Sequence, residues 1–254
     1  MIIILSPAKT LDFSTPGPSS LHSMPEFGRE ATRIAEKMKK LTVNDLGSLL
    51  GISSKLAYLN HDRYQQWSLS DRIPEGRQAI LAYKGDVYNG LRARELKISD
   101  HEWAQDHLRI LSGLYGMLRP LDLIMPYRLE FATKLQVGKY KNLYEYWNKQ
   151  LNRSLESLIQ TEGSGILVDL ASAEYSKALN LKDHKLRVIT PVFKEYRNGE
   201  YRFLSMFGKK ARGMMARYII QNKLEDPEGI KLFDEDGYSF NDQLSGGDEW
   251  VFTR

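Results

Sequence analysis

Residues 1–12, which read MIIILSPAKTLD, decide the fold of this chain. Residues 2–5 are all aliphatic and three of them are β-branched, so they predict a short strand that is covered on both faces of a sheet. Pro7 has no N–H to donate to a strand ladder, so it ends the strand as the polar residues begin. Lys9 and Asp12 then follow the carboxyl end of a central strand, where open α/β sheets place their ligand sites.

The same succession of an apolar strand and a polar cluster is predicted at residues 78–83, 108–111 and 165–170. The carboxyl ends of neighbouring parallel strands meet at one edge of a sheet, so the clusters form one site if these strands are parallel neighbours. The alternative is a set of separate, solvated loops. The polar residues that follow the three strands are Lys84 and Asp86, then Ser112 and Tyr115, then Asp169, Glu174 and Lys177.

Two arginines on a proline-punctuated stretch add to this set of charges. Arg119 precedes Pro120, and Arg128 follows Pro126 by two residues. A concave site that mixes lysine, arginine and carboxylate groups suits a phosphate or a nucleotide better than an apolar substrate.

Lys9 also allows covalent chemistry. A desolvated lysine can act as a nucleophile or form a Schiff base, with Asp12 or Asp86 as the proton carrier. An ordinary ion pair between Lys9 and Asp12 would instead leave the amine inert, and the residues alone do not decide between the two. The sequence contains no Ser-His-Asp order, Walker loop or Rossmann glycine fingerprint.

The composition limits the class of protein. The chain has 254 residues, of which 42% are hydrophobic and 27% are charged, as in an ordinary globular protein. The net charge of +4 is modest, so anion binding depends on where the charges lie. There is no cysteine, and the five histidines lack metal-binding spacing, so we predict neither a metal site nor a cofactor. With no apolar run long enough for a bilayer and no signal peptide, we expect a cytoplasmic protein without a membrane partner.

The chain shows no internal repeat and no interdomain linker, so we predict one mixed α/β domain over residues 1–254. A central mixed sheet carries flanking helices, with a surface loop at 14–25. The further elements predicted are helices over 26–40, 43–50, 53–67 and 207–223, a hairpin that turns at Asn198-Gly199, and a final hairpin across 238–252.

Residues 42–67 have the outline of a helix-hairpin-helix element. Two short helices are joined by an apolar-Gly-apolar-small turn around Gly51, Ser53 and Lys55. Such a turn exposes backbone N–H groups near a helix N-terminus, which bind a DNA phosphate without reading bases. Ser53 stands where a second glycine is usual. The alternative is an ordinary helical hairpin that ends its first helix with a glycine.

The helix over 207–223 predicts a second surface for a polyanion. At 100° per residue, its four cations fall on an arc of roughly 160°, with Gly213 inside the arc. A glycine among cations lets a bulky anion approach the backbone closely. The four cations are Lys209, Lys210, Arg212 and Arg217.

The chain resembles the family of YaaA, the bacterial peroxide stress resistance protein, over nearly its whole length. Several long motifs stand in the same order. They are SPAKTLD at 6–12, KGDVY at 84–88, LSGLYG at 111–116, LRPLD at 118–122, PYRLE at 126–130 and KKARG at 209–213.

This resemblance implies a cytoplasmic protein that protects DNA and proteins from oxidative damage and is linked to a low level of free iron. It also implies a single mixed α/β domain with a basic cleft, a helix-hairpin-helix element and binding to double-stranded DNA with little sequence specificity. No enzymatic reaction is implied. Carried over by motif, the cleft candidates are Lys9, Lys84, Arg119, Arg128 and Lys177, and the hairpin residues are Gly51, Ser53 and Lys55.

Two other functions stay open at this point. The first is an enzyme that acts through Lys9 on a nucleobase, a nucleotide or damaged DNA, in the manner of a lyase or glycosylase. The second is a protein that sequesters iron through carboxylates. A nucleotide-like small molecule in the cleft is an alternative ligand to DNA.

Overall fold

The computed structural model describes residues 1–14, 21–69 and 76–254, so half of the predicted loop at 14–25, residues 15–20, lies outside the described residues. In the described part, the strands are β1 Ile2–Leu5, β2 Thr10–Leu11, β3 Arg77–Gln78, β4 Tyr83–Lys84, β5 Leu108–Ser112, β6 Gly116–Leu118, β7 Leu123–Ile124, β8 Ile166–Leu170, β9 Arg187–Arg197, β10 Glu200–Arg202, β11 Ser239–Phe240 and β12 Glu249–Thr253. The α-helices there are α1 Gly28–Lys39, α2 Val43–Leu50, α3 Ser54–Gln66, α4 Ala79–Ala82, α5 Asp86–Leu91, α6 Ile98–His107, α7 Leu143–Glu162, α8 Ala173–Ser176 and α9 Ser205–Asn222.

A mixed sheet forms the centre of the molecule, with the strand order β11-β12-β9-β8-β1-β5-β6 and β10 paired with β9. The first strand, β1, lies between β8 and β5 and is parallel to both. All four of its residues are buried, because helices or loops cover both faces of the sheet at this point. The predicted central buried strand is confirmed.

Antiparallel strands complete the sheet. β6 pairs with β5, and β11 pairs with β12 in the predicted final hairpin. β9 and β10 are joined at Asn198-Gly199, where both residues have positive φ values of 52° and 88°. This is the turn that an Asn-Gly pair favours, so the predicted hairpin is confirmed, with a shorter second strand than expected.

The strand predicted at 78–83 is wrong. Its central four residues, Ala79–Ala82, form the short buried helix α4, flanked by the two-residue strands β3 and β4. Its first N–H groups bind the carbonyls of a neighbouring loop, from Ala79 to Asp122 at 2.9 Å and from Ile80 to Pro120 at 3.0 Å. A short apolar run does not distinguish a strand from a buried helix, and alanine and leucine favour the helix.

The three helices α1, α2 and α3 match their predicted positions. α2 begins with the predicted capping box, in which the Asp45 N–H donates to Thr42 Oγ1 at 3.2 Å and the Thr42 N–H donates to the Asp45 carboxylate at 3.4 Å. Buried residues of all three helices, such as Ile34, Leu46 and Tyr64, belong to the same hydrophobic cluster as β1. The helices therefore share one core with the sheet.

α9 crosses α5 with backbone in contact with backbone. A Cβ atom on Gly213 would lie 1.7 Å from the Val87 carbonyl oxygen, and one on Gly90 would lie 2.1 Å from the Lys210 carbonyl oxygen. The lack of a side chain at both positions is what permits this approach. No helix among the described residues is long and apolar enough to cross a membrane.

Candidate functional site at the carboxyl edge of the parallel strands

Three of the four predicted polar clusters follow parallel neighbouring strands. β8, β1 and β5 lie side by side, so the loops after Leu170, Leu5 and Ser112 leave from one edge of the sheet. The Ser172 N–H donates to Ser6 Oγ at 2.8 Å and joins two of these loops. The chain passes from β1 to β5 on one side and later reaches β8 on the other side. This reversal of strand order marks the crevice where α/β sheets bind ligands.

Lys84 reaches this region by a different route from the one predicted. β2 and β4 pair as antiparallel strands outside the main sheet, and Thr10 lies opposite Lys84. The Asp12 N–H donates to the Ala82 carbonyl at 2.7 Å and extends this contact. Lys84 therefore lies beside the Lys9 loop, although it does not follow a strand of the main sheet.

Lys9 and Arg128 share one carboxylate. Lys9 Nζ lies 3.5 Å and Arg128 Nε 3.4 Å from the same oxygen, Glu130 Oε1. Both distances exceed those of good hydrogen bonds, so these are ion-pair contacts. The Lys9 side chain is 66% exposed, whereas those of Arg128 and Glu130 are 18% and 13% exposed. Lys9 is therefore a hydrated cation at the mouth of the site, above a half-buried ion pair.

Asp12 is held as a carboxylate. Its Oδ1 accepts hydrogen bonds from the Ser14 hydroxyl at 2.8 Å and the Ser14 N–H at 3.0 Å, which lower the pKa of Asp12. The positive charges of Lys84 and Arg94 lower this pKa further. A carboxyl group with a lowered pKa is a weak proton carrier at neutral pH, so the geometry favours an electrostatic role for Asp12.

Asp169 and Arg212 lie at the same edge of the sheet. Asp169 Oδ1 accepts from the Ala171 N–H at 2.9 Å and from the Ser176 hydroxyl at 2.8 Å. Burial raises the pKa of Asp169 and lowers that of Arg212, and the charge of each acts against the shift of the other. Arg212 is half-buried and within electrostatic range of Asp169, so it does not lie on an open basic face.

Lys177 and Glu174 line the outer part of this edge. Lys177 is exposed and its ammonium lies 5.0 Å from the centre of the Tyr144 ring, which is a cation–π contact. The Glu174 carboxylate accepts from the Ala132 N–H at 3.1 Å and so ties the loop after Arg128 to the loop after β8.

Ser112 and Tyr115 are buried and support the site from below. The Tyr127 hydroxyl lies 2.6 Å from both Ser112 Oγ and the Tyr83 hydroxyl. The Tyr115 hydroxyl accepts from Trp67 Nε1 at 2.9 Å. Burial raises the pKa of Tyr127 to about 12, so this network is neutral. It fixes the backbone that carries Arg128.

Arg119 is not part of this edge, which corrects its assignment to the cleft. β6 runs antiparallel to β5, so Arg119 follows β6 towards the amino end of β5, at the opposite edge of the sheet. Its guanidinium binds the Asp122 carboxylate at 3.1 Å and the Met24 carbonyl at 3.1 Å. These contacts give Arg119 a role in holding the loop at 119–122.

The predicted basic face of α9 is also wrong as a continuous surface. Arg217 is buried and its Nη1 donates to the carbonyls of Leu91 and Arg92 at 3.3 and 3.0 Å. Lys209 and Lys210 are both exposed, and Lys210 binds Asp236 at 3.0 Å. The arc is interrupted because α5 packs across it at Gly213.

The helical hairpin has an open turn. Gly51 ends α2 in the left-handed conformation, with φ 60° and ψ 45°. Ser53 precedes α3 without capping it through its side chain, and Lys55 is exposed in the first turn of α3. A cavity of about 370 Å³ lies against this turn, between the first turn of α2 and that of α3.

α3 connects this turn to the cations at the carboxyl edge of the sheet. We call this group, which consists of Lys9, Lys84, Arg128 and Lys177, the strand-edge site. The Tyr64 hydroxyl, near the end of α3, donates to the Arg128 carbonyl at 2.9 Å. Lys55 and Tyr64 are nine residues apart on one straight helix, which is about 14 Å along its axis. The hairpin and the Arg128 loop are therefore held at a fixed distance.

Sequence reasoning placed Lys9, Lys84, Arg128 and Lys177 together but did not single out Glu130 or Arg94. Glu130 stands two residues after Arg128, and that spacing on an extended segment was the available signal. Within the described ranges, no group of three or more histidine, aspartate or glutamate side chains is arranged to hold a metal ion.

The fold and this site define a mixed α/β protein whose charged groups collect at the carboxyl edge of its parallel strands. Residues 1–244 match the family model described as peroxide stress protein YaaA. The chain belongs to this family, so the resemblance read from its motifs is confirmed. Relatives named UPF0246 protein are 49% identical in Hahella chejuensis, 46% in Teredinibacter turnerae and 46% in Aliivibrio fischeri. Each match covers 100% of this chain and 98–99% of the relative.

Proposed function

We propose that this peroxide stress protein binds double-stranded DNA through its phosphates, with little sequence specificity. The observation that carries the proposal is the link from Tyr64 to Arg128, because it fixes the helical hairpin relative to the strand-edge cations. Bound DNA is then protected from damage that depends on free intracellular iron. A cytoplasmic location belongs to the same proposal.

The hairpin supplies a phosphate site without base contacts. The N–H groups of Ser54, Lys55 and Leu56 begin α3 and have no carbonyl acceptor within the helix. Together with the positive end of the helix dipole and the Lys55 ammonium, they favour a phosphate oxygen in front of the turn. Contacts of this kind position DNA and carry no sequence information.

The strand-edge site supplies the second contact. Lys9, Lys84 and Lys177 are exposed, and Arg128 lies beneath Lys9. Glu130 contacts both Lys9 and Arg128 and offsets part of their positive charge. Such cations would displace counterions from a DNA backbone, which is the main source of non-specific affinity.

The structure contains no observation that favours covalent chemistry at Lys9. The Lys9 side chain is 66% exposed and contacts the Glu130 carboxylate, so it lacks the desolvation that activates a nucleophilic lysine. For direct iron binding, no observation in the described part of the chain points to a carboxylate cluster. DNA binding is therefore the function that we argue.

The experiment measures the affinity for a fluorescent duplex by anisotropy at one fixed salt concentration. Lys9 and Lys55 are both exposed. Each of the changes Lys9→Gln and Lys55→Gln should weaken duplex binding, and for a given variant the factor should be the same for duplexes of unrelated sequence. Lys149→Gln, on the exposed side of α7, removes the same charge and is the control. Absence of duplex binding by the wild type, or an equal loss in the control, would contradict the proposal.

A further inference from the structure

A cavity of about 320 Å³ lies beside Lys84, between β4, α5 and the 3-10 turn Ala93–Glu95. This is near the lower end of the range of small-molecule pockets, about 300 to 1,000 Å³. Its size fits one nucleotide unit and excludes an oligonucleotide. Asp12 lies at the mouth of the cavity and connects it to the strand-edge site.

The charges around the cavity favour an anion. Lys84, Arg92 and Arg94 contribute three positive charges, against two carboxylates, Asp12 and Glu95. Glu95 lies 3.6 Å from Arg92 and 3.3 Å from the buried Arg217, so its charge is already matched. The remaining cations lie on the Asp12 side, where Lys84 and Arg94 both lower the pKa of Asp12.

The floor of the cavity is apolar and aromatic. It consists of the buried residues Ile80 and Leu81 of α4 together with Tyr83 and Tyr88, whose ring centres are 5.2 Å apart. The two rings are inclined at 37° to each other, and aromatic rings pack against a planar heterocycle in offset or edge-to-face arrangements. Asn89, which is exposed at the edge, presents an amide that can both donate and accept hydrogen bonds.

The rim of the cavity is held in place from behind. Arg92 has a positive φ of 47°, which is uncommon for a residue other than glycine. Arg217 supports this conformation through hydrogen bonds to the carbonyls of Leu91 and Arg92 and an ion pair with Glu95. These contacts explain why Arg217 is buried and does not face DNA as the sequence predicted.

We propose that this cavity binds a single nucleotide, with its phosphate against Lys84 and Arg94 and its base on the Tyr83–Tyr88 floor. The nucleotide is either free in solution or turned out of a bound duplex, as in enzymes that extrude a base. Binding of a nucleotide turned out of a duplex rests on the proposed DNA function, whereas binding of a free nucleotide does not.

Calorimetry with the full chain tests the free nucleotide. Deoxyadenosine monophosphate should bind with a stoichiometry of one and more tightly than deoxyadenosine or inorganic phosphate, since only the whole nucleotide uses both floor and cations. Arg94→Gln should weaken binding by about tenfold, as expected for the loss of a charge-assisted hydrogen bond. Arg153→Gln on α7 removes the same charge at an exposed residue that does not line the cavity, and it should leave binding unchanged. Asn89→Ala, at an exposed position, is a second pocket variant in case Arg94→Gln does not fold.

A duplex that carries 2-aminopurine opposite an abasic site tests the extruded nucleotide. A rise in its fluorescence that Arg94→Gln or Asn89→Ala removes and Arg153→Gln preserves would support the pocket with DNA as the source. If neither probe responds to the pocket variants while duplex binding persists, this inference fails and the proposed DNA function stands. If the wild type binds no duplex, the proposed function fails and the calorimetric result alone decides whether the pocket binds a nucleotide.

Discussion

His101 shows how a single buried residue sets a dependence on pH. It is 1% exposed on α6, and burial lowers its pKa, while the nearby Ala93 backbone and the charge of Asp100 act in the opposite direction. The folded chain therefore favours the neutral imidazole, and protonation requires that a charge be buried. Ala93 belongs to the turn that borders the cavity beside Lys84.

The free energy of unfolding should fall as the pH decreases below about 6.5, the ordinary pKa of histidine. Since the pKa of His101 is lower in the folded state, the unfolded chain binds the proton first, so this contribution is complete above that pH and lost below it. His101→Phe should flatten the slope of stability against pH between 5 and 7, measured by urea unfolding. The exposed change His22→Gln is the control, and equal slopes for His101→Phe and the wild type would contradict the assignment.

Glu130 is the residue that limits the charge of the strand-edge site, since it contacts both Lys9 and Arg128. Glu130→Gln should therefore tighten duplex binding several-fold at low salt, because both cations then act on phosphates. The measurement is anisotropy with a fluorescent duplex, with thermal unfolding as the check on the fold. Weaker binding by a folded variant would show that the carboxylate orients the cations and does not merely oppose DNA.

For single residues, the sequence predicted which cations belong to the site but not which groups surround them. Lys9 and Arg128 were placed in one site because polar residues follow strands and proline turns. Arg119 lies at the opposite edge because β6 runs back along β5 after a short turn that ends at Gly116, and this hairpin was not among the predicted elements. The burial of Arg217 could not be predicted from its neighbours in sequence, because it results from the crossing of α5 over α9, which is a long-range contact.

Among the elements, the crossing of α5 and α9 connects the sheet edge to the cavity. α9 carries Arg212 towards Asp169 and Arg217 towards the rim at Arg92. Both positions depend on Gly213, where a Cβ atom would lie 1.7 Å from the Val87 carbonyl oxygen. The atom in the way belongs to the backbone and cannot rotate aside.

Gly213→Ala should lower the free energy of unfolding by about 1–3 kcal/mol, the usual effect of overpacking in a core. Gly246→Ala is a matched control, because a Cβ atom there would meet nothing within 4 Å and its φ is not in the left-handed region. Urea unfolding of both variants is the measurement. Equal stabilities would contradict the close crossing.

Elements with strong local signals were predicted well. The capping box at Thr42, Gly51 and the Asn198-Gly199 turn act within a few residues, and the structure contains all three. The error at 78–83 has the opposite cause. That run is apolar throughout, and contacts with the loop at 120–122, which lies distant in sequence, select a helix there.

For the whole molecule, a net charge of +4 is too small to attract DNA by itself. The account instead requires two separate groups of cations on one rigid body, the hairpin at Lys55 and the strand-edge site at Lys9. α3 extends about 14 Å along its axis from Lys55 to Tyr64, whose hydroxyl donates to the Arg128 carbonyl of the strand-edge site. A duplex that engages both should release counterions at both.

The salt dependence of duplex binding tests this claim most directly. The logarithm of the association constant is measured against the logarithm of salt concentration for the wild type, for Lys9→Gln with Lys55→Gln, and for Lys149→Gln. We predict that the slope of the double variant is shallower than that of the wild type by about 2, since each lost phosphate contact contributes about 0.9. The Lys149→Gln control should keep the wild-type slope. A double variant with the wild-type slope and affinity, or a wild type whose binding does not depend on salt, would contradict the account.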